Sequence, residues 1–375
     1  MERLTAAEVA GLYRARQHLG ERRRDSEPAA PGQAPDRVAA EVRHHVGLQA
    51  QAPLPPYTAL WTRLASFDPE TASGLVRTGE LVRVVCMRST IHLVHAADAW
   101  SLRSLTAPVL LREYDAAIAR RLPGVDVDAV TDRARGILDG TTLTSRELGR
   151  LLADRFDEYA GPDLVNLVRC HVPLLQRPPR GQWGTTGPVA YARLDQHVPV
   201  HDVDTRVELR QLALRYLRAY GPATPADFAA WTALRGAREV FETLGDDAVA
   251  VDVEGRVLVD AGDADRTSAP PPPTARLLAE FDAALLSHRD RSRILPTAHL
   301  GVIGSPNGLI PSTFLVDGAV AGRWTLSVAD GAARAELHPV RRLAQGTQSA
   351  LRRELRALAR DLYGARLTDV VLSPE

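Results

Sequence analysis

Lysine is absent from this 375-residue chain, in which all 46 basic residues are arginine. The chain also has 46 acidic residues, so the formal net charge at pH 7 is zero. A neutral total does not exclude a nucleic-acid partner, because a balanced sum can contain a basic face. The lack of lysine together with abundant alanine is typical of GC-rich coding, although the planar guanidinium also suits phosphate and base-edge contacts.

Cysteine and long apolar runs are scarce as well. Cys86 and Cys170 form no CxxC pair and no disulfide framework, which favours a reducing, cytoplasmic setting. The start, MERLTAAEVAGL, has acids where a signal peptide needs a basic end, and no segment approaches about 18 uninterrupted apolar residues. With 45% apolar and 25% charged residues, the composition predicts a soluble globular protein. A chain of this length predicts about two to four domains.

Several enzyme signatures are missing. The chain has no P-loop, no GxGxxG after a predicted strand and no GxSxG elbow, so nucleotide enzymes and serine hydrolases lack their minimum parts. The pair His92 and His95 falls on opposite faces of a strand, and the adjacent His44 and His45 are expected to diverge. No carboxylate accompanies either pair at ligand spacing. We therefore expect ordinary structural or polar histidines, with no metal and no cofactor.

A repeated helix start is the first positive signal. A threonine is followed three residues later by an acid and then by an apolar residue, as in a capping box, at Thr5–Val9, Thr144–Leu148 and Thr224–Phe228. Each start precedes a predicted β-hairpin, over 81–95, 172–194 and 249–260, the last turning at Glu254–Gly255. Helices followed by a hairpin, three times in one chain, are the plan of a winged helix-turn-helix.

A proline run divides the rest of the chain. Residues 265–276 are predicted to be a linker, because Pro270–Pro273 join neither a helix nor a central strand. Beyond them, Asn307–Gly308 and Asp317–Gly318 predict hairpin turns, and Gln348–Tyr363 predicts a final helix. The predicted units are therefore residues 1–100, 101–204, 205–264, the linker 265–276, and a C-terminal β domain over 277–375.

The segment GLQAQAP, residues 47–53, presents two amides in an apolar setting. Gln49 and Gln51 follow a predicted helix that begins at Arg37. If that helix has ended by Leu48, an offset of two in extended chain aims both amides the same way. One interpretation is a polar helix end. The other is a pair that orients a water and stabilises developing positive charge through the carbonyl dipole.

A second dense cluster is FDAALLSHRDRSRILP, residues 281–296. One interpretation is a solvated run of self-paired charges. The other is a phosphate-facing row made by Arg289, Arg291 and Arg293, which share one side of the chain if this stretch is extended.

Four segments, in order, resemble the bacterial DNA glycosylases of the AlkZ and YcaQ type, which act in azinomycin resistance and crosslink unhooking. They are GLQAQAPLPPYTALWTRL (47–64), MRSTIHLV (87–94), LLAEFDAALLSHRDRSRILP (277–296) and FLVDGAVAGRW (314–324). Because Gln51 replaces an acid, the QAQ form is closer to the antibiotic-resistance branch. The resemblance implies an α+β fold of three tandem winged helix-turn-helix units plus a C-terminal β-rich, barrel-like domain, curved around duplex DNA. It also implies that Gln49 and Gln51 are the catalytic pair.

The same resemblance implies the activity and the partner. The expected reaction is hydrolysis of the N-glycosidic bond of cationic N7- or N3-alkylated purines, in bulky adducts or interstrand crosslinks, as self-resistance to a DNA-alkylating natural product. We expect a cytoplasmic monomer with no membrane or obligate protein partner. It should be monofunctional, because no lysine can form a Schiff base. Candidate DNA contacts are Arg63, Arg88, His92, His288, Arg289, Arg291, Arg293 and, in a hairpin, Asn307.

Two alternatives from other functional classes stay open. A winged-helix transcription regulator needs helices for the major groove but no catalytic water. A resistance protein that sequesters a drug would protect cells without turnover, and it would not need the two glutamines.

Overall fold

The computed structural model describes residues 1–20, 22–23, 34–267, 271–303 and 309–373. The helices are α1 (Ala6–Arg16), α2 (Ala34–His44), α3 (Pro55–Arg63), α4 (Pro69–Thr78), α5 (Ala96–Leu105), α6 (Ala107–Glu113), α7 (Val127–Ile137), α8 (Ser145–Ala153), α9 (Gly161–His171), α10 (Thr205–Tyr220), α11 (Pro225–Thr232), α12 (Ala237–Glu242), α13 (Ala283–Leu286) and α14 (Gln345–Tyr363). Within these described ranges, no helix is long and apolar enough to cross a membrane.

The strands complete the α+β fold that the sequence predicts. They are β1 (Glu2–Leu4), β2 (Leu48–Gln49), β3 (Leu81–Val85), β4 (Ile91–His95), β5 (Leu143–Thr144), β6 (Leu174–Gln176), β7 (Ala190–Arg193), β8 (Ala248–Val253), β9 (Arg256–Ala261), β10 (Ala275–Leu278), β11 (Thr313–Val316), β12 (Ala319–Ala329), β13 (Ala332–Pro339) and β14 (Arg366–Leu372).

All three predicted capping boxes form. In each, the threonine hydroxyl accepts a hydrogen bond from the backbone N–H three residues later, and the acid there accepts one from the threonine N–H. Two free amides of each first turn are thereby satisfied, so the sequence alone sets where α1, α8 and α11 begin. Their threonines are Thr5, Thr144 and Thr224.

The three predicted hairpins form as the antiparallel pairs β3–β4, β6–β7 and β8–β9. They do not make three separate sheets. Strands β3 and β6 pair through Arg83 opposite Gln176, which joins the first two hairpins in one sheet of order β2-β4-β3-β6-β7-β5. The third hairpin forms another sheet with β1, which pairs parallel with β8. The helix-and-hairpin elements are confirmed, and their grouping into winged-helix units stays a prediction.

The C-terminal sheet has the order β10-β11-β12-β13-β14. The predicted turn at Asp317–Gly318 joins β11 to β12, with positive φ at both residues, whereas Asn307–Gly308 lies outside the described residues. Helix α14 packs against both β10 and β14. These two strands stay at opposite edges, so over the described residues the sheet is open. The expectation of a barrel-like domain is corrected here, because its edges are not paired with each other.

One apolar cluster connects the three predicted N-terminal units with the C-terminal domain. It contains Val84 from β3, Leu175 from β6, Phe228 from α11 and Leu285 from α13, each at most 1% exposed. Because interiors are close-packed, a cluster of this kind transmits the position of one element to the next. The first hairpin, on which the two glutamines depend, is thus fixed from both the third unit and the C-terminal region.

Candidate active site

The segment that carries the two glutamines is held against strand β4. After α2 the chain turns through Gly47, whose φ is 105°. A Cβ atom there would lie 2.7 Å from Val94 Cγ1, so glycine is required both by the backbone conformation and by the close approach. Strand β2 then pairs antiparallel with β4, which places Gln49 opposite His92.

The predicted alternation along this segment is present. Ala50 is fully buried, while Gln49 before it is half-buried and Gln51 after it is exposed. The Ala50 N–H donates to the Ile91 carbonyl at 2.7 Å, which continues the pairing beyond β2. Both amide side chains bond to the same end of the β3–β4 hairpin, so the structure brings the pair together as the sequence predicts.

Arg88 holds the Gln49 amide. Its Nη2 donates to Gln49 Oε1 at 2.7 Å, and its Nη1 donates to the carbonyl of Trp231 in α11. Nη2 also lies 3.3 Å from His92 Nε2, while His92 Nδ1 donates to the Thr90 carbonyl at 3.1 Å. Burial, and then Arg88, lowers the pKa of His92 to about 3. A neutral imidazole that accepts from Arg88 fits both contacts.

Gln51 is held from the backbone. Its Oε1 accepts from the Ile91 N–H at 3.1 Å. Since a guanidinium and a backbone N–H can only donate, the orientation of both amides is fixed, with the oxygens towards the hairpin. Within the described chain, neither amide nitrogen has a partner and no carboxylate bonds to either side chain. Each oxygen keeps a second lone pair for a bound molecule.

A positive charge lies beside the amide pair. Burial lowers the pKa of Arg88 to about 10, with a further lowering from nearby Arg291, so Arg88 stays protonated at pH 7. Its bonded partners are all neutral. Arg291 is half-buried, and its side chain has no partner among the described residues. Two guanidiniums without a bonded carboxylate create a potential that attracts phosphate.

Comparison with known proteins places the chain in a family. The family model of the DNA glycosylase AlkZ-like proteins matches residues 42–360. The chain belongs to the AlkZ-like DNA glycosylase family. A relative named interstrand DNA cross-link repair glycosylase, from Streptomyces sahachiroi, is 30% identical in an alignment of 306 positions, and the match covers 75% of this chain and 80% of the relative. The solved structure of Streptomyces sahachiroi DNA glycosylase AlkZ matches with a TM-score of 0.78 at 25% identity, over 99% of this chain and 100% of that one.

The resemblance found in four sequence segments is therefore confirmed, and with it DNA glycosylase as the class of enzyme. It does not follow that every candidate DNA contact faces DNA. In this AlkZ-like glycosylase Arg63 is 1% exposed and forms two hydrogen bonds with Asp282, at 2.9 and 2.7 Å. His288 is 5% exposed and packs edge-on against the Tyr13 ring. Neither side chain is presented to a ligand in this structure.

The three arginines after α13 do not form an extended row. The chain there makes turns rather than a strand, so a spacing of two does not place side chains on one side. Arg289 is exposed and Arg291 lies near Arg88, whereas Arg293 donates to the Tyr220 carbonyl at 3.4 Å. Asn307 lies outside the described residues.

Sequence reasoning missed the way Arg88 holds Gln49. The two residues are 39 positions apart, and no spacing rule connects a hairpin turn with a short strand of another segment. The only available signal was that both lie in segments that resemble the same family.

Proposed function

We propose that this chain is a monofunctional DNA glycosylase that hydrolyses the N-glycosidic bond of cationic N7- or N3-alkylated purines, with Gln49 and Gln51 as the catalytic pair. The observation that carries the proposal is the fixed orientation of two amides, with oxygens held by Arg88 and by the Ile91 N–H. Such a site positions a molecule but exchanges no proton with it.

The lesion itself makes a carboxylate unnecessary. Glycosidic cleavage passes through an oxocarbenium-like sugar, for which enzymes commonly provide a carboxylate and an acid. A purine alkylated at N7 or N3 is already positive, so the bond to the sugar breaks with its electron pair returning to the base, which leaves neutral. Water adds to the anomeric carbon and releases its proton to solvent. The protein has to place that water and tolerate the cation.

The two amides are suited to different parts of this task. Gln51 is exposed, so the second lone pair of its oxygen can accept a hydrogen bond from the attacking water. Gln49 is half-buried and bonded to Arg88, which suits it to hold water and sugar. Donation from a cation to Oε1 also polarises the amide and strengthens its N–H groups as donors.

The same site provides contacts for the DNA backbone. We assign phosphate contacts to Arg88, which is bonded to Gln49, and to Arg291, whose charge acts on Arg88; neither has a carboxylate bonded to it among the described residues. His92 supports Arg88 as a neutral acceptor. Arg289, which is exposed, and Arg293, which is half-buried, complete the proposed set of DNA contacts. Arg63 and His288 are left out because they are buried.

We extend the substrate to interstrand crosslinks and bulky adducts, because the Streptomyces sahachiroi relative is named for cross-link repair. The biological role that fits such lesions is self-resistance to a DNA-alkylating natural product, exercised in the cytoplasm by a monomer. No lysine occurs in the chain, so strand cleavage through a lysine Schiff base is excluded.

The decisive experiment is release of N7-methylguanine from duplex DNA, followed by alkaline cleavage of the abasic product. The wild type should release the base, the Gln49→Ala/Gln51→Ala double variant should not, and Gln211→Ala, an exposed glutamine of α10, should match the wild type. Uracil should not be released from a uracil-containing duplex, because a neutral leaving base needs protonation. Release that survived the double substitution would remove the two glutamines from the mechanism.

A crosslinked duplex separates the remaining alternatives. Unhooking by the wild type and not by the double variant supports the proposed substrate. A transcription regulator would instead bind one operator sequence with no turnover. A sequestering protein would still protect drug-treated cells when it carries both alanine substitutions.

A further inference from the structure

Arg83 is a buried cation that bonds to neutral groups. It lies in β3 and is 2% exposed. Among the described residues, no carboxylate bonds to its guanidinium. Burial, and then the charge of Arg180, lowers the pKa of Arg83 to about 10, so the side chain is protonated at pH 7. Because burying a charge without an ionic partner costs free energy, the groups that it bonds to indicate its role.

The first of these groups is the peptide between the two glutamines of the site. Arg83 Nη2 donates to the Ala50 carbonyl at 3.0 Å. On its other polar group, Ala50 donates its N–H to the Ile91 carbonyl at 2.7 Å. The backbone of Ala50 is therefore bonded both to the β3–β4 hairpin turn and to the side chain of Arg83.

The order of the strands makes this side-chain contact necessary. Strand β4 lies between β2 and β3 in the sheet, so the backbone of β3 does not pair with the segment around Ala50. Strand β2 itself ends at Gln49. Arg83 thus connects β3 with the chain just beyond the point where strand pairing stops.

The second predicted unit holds Arg83 from two sides. Gln176, opposite Arg83 in β6, accepts from Nε at 3.3 Å and from Nη2 at 3.1 Å. Gly181 packs against the guanidinium so closely that an added Cβ atom would overlap it. The Gly181 carbonyl accepts from the Tyr57 hydroxyl at 2.7 Å, and Tyr57 lies in α3, directly after the segment with the two glutamines.

We propose that Arg83 is a positioning residue for base release, which holds the Ala50 carbonyl so that Gln49 and Gln51 present their amides together. It does not contact the substrate, because it is buried. A displacement of about 1 Å in a site can slow a reaction about 100-fold, so a contact to the peptide between two catalytic groups affects the rate. This inference rests on the proposed function, in which the two glutamines are the catalytic pair.

The chain offers a matched arginine away from the glutamines. Arg103 in α5 is 3% exposed, and burial lowers its pKa to about 10. Its Nη2 donates to the Cys170 carbonyl at 2.9 Å. Within the described residues it bonds neither to a carboxylate nor to the segment 49–51. It therefore shows what the loss of a buried guanidinium does to stability alone.

The first test is single-turnover release of N7-methylguanine with the enzyme in saturating excess. In Arg83→Met the rate should fall about 10- to 100-fold, because a hydrogen bond from a charged group is lost, while the affinity for undamaged duplex stays that of the wild type. Arg83→Lys keeps a charge and a donor, so it should recover part of the rate. Arg103→Met should keep the wild-type rate, although both methionine variants unfold at a lower temperature. An equal loss of rate in Arg103→Met overturns the proposal.

The second test is hydrogen exchange resolved by residue, which needs no activity. The Ala50 N–H bonds to the Ile91 carbonyl, and the Ile91 N–H bonds to Gln51 Oε1. Both amides should exchange at least about 10-fold faster in Arg83→Met and not in Arg103→Met, while the amide of Leu355 in α14 keeps its wild-type rate. Unchanged exchange at Ala50 and Ile91 overturns the proposal.

A further variant covers the case in which Arg83→Met does not fold. Gln176→Ala leaves Arg83 in place and removes the acceptor that orients it, so the rate should fall by less, about 3- to 10-fold. A wild-type rate in this variant would then overturn the proposal. If the wild type releases no base, the proposed function fails, and the exchange of the Ala50 and Ile91 amides alone decides whether Arg83 positions the segment.

Discussion

At the residue scale, the site depends on a cation that bonds to neutral groups. The Arg88 guanidinium links the Gln49 amide with the Trp231 carbonyl and is supported by the neutral His92 ring. The backbone of Arg88 has a positive φ of 53°. A non-glycine residue adopts this conformation only when its surroundings hold it there. The contacts of its side chain account for that cost.

Replacing Arg88 should therefore slow base release more than it weakens the binding of DNA. In Arg88→Met we expect the single-turnover rate of base release to fall about 10- to 100-fold, because hydrogen bonds to charged groups contribute about 1.5–3 kcal/mol. The rate is measured with enzyme in excess over methylated duplex. Arg120→Met, at an exposed arginine, is the matched control. If only the affinity for DNA changes and the saturated rate does not, Arg88 binds phosphate without positioning Gln49.

At the element scale, a strand of only two residues positions part of the site. Strand β2 contains only Leu48 and Gln49, yet it sets the register of the segment with Gln49 and Gln51 against β4. Two residues of pairing are weak support by themselves. Their position is secured by the close packing of the Gly47 backbone against Val94.

Adding a single methyl group at Gly47 tests the importance of this close packing. Gly47→Ala should lower the free energy of unfolding by about 2–4 kcal/mol, through the strain of a positive φ and the overlap with Val94. Gly79→Ala is the matched control, because Gly79 also has a positive φ but an added Cβ would meet nothing within 4 Å. It should cost only about 1 kcal/mol. Urea unfolding of both variants gives the comparison, and equal losses would show that the contact with Val94 is unimportant.

At the scale of the whole molecule, a buried ion pair joins distant parts of the chain. Arg63 ends α3, and Asp282 caps α13 by accepting a hydrogen bond from the Ala284 N–H at 2.9 Å. The pair spans 219 positions and both side chains are at most 1% exposed. Leaving one such charge without its partner is expensive, although replacing both by apolar groups can be nearly neutral.

A structural role for Arg63 predicts different effects of its replacement from those that a role in DNA contact predicts. Arg63→Met should lower the free energy of unfolding by about 3–5 kcal/mol, and adding Asp282→Leu should recover part of the loss. Thermal or urea unfolding measures this cycle. The affinity of folded Arg63→Met for undamaged duplex should equal that of the wild type at each salt concentration. A weaker affinity with a salt slope reduced by about one would instead make Arg63 a phosphate contact.

The sequence by itself determined the local structure and the identity of the catalytic candidates. Capping boxes at Thr5, Thr144 and Thr224 and the turn at Glu254–Gly255 involve residues at most three positions apart, so their hydrogen bonds follow from the order of the residues. The QAQ pair was found because its neighbours resemble a family. The α+β class was implied by the same resemblance, and the succession of local patterns agrees with it.

Only the tertiary structure decided which of these parts meet. The pairing of β3 with β6, the bond from Arg88 to Gln49 and the burial of Arg63 against Asp282 join residues 93, 39 and 219 positions apart. Contacts at such separations depend on the packing of several elements at once, and a composition or a spacing does not encode them.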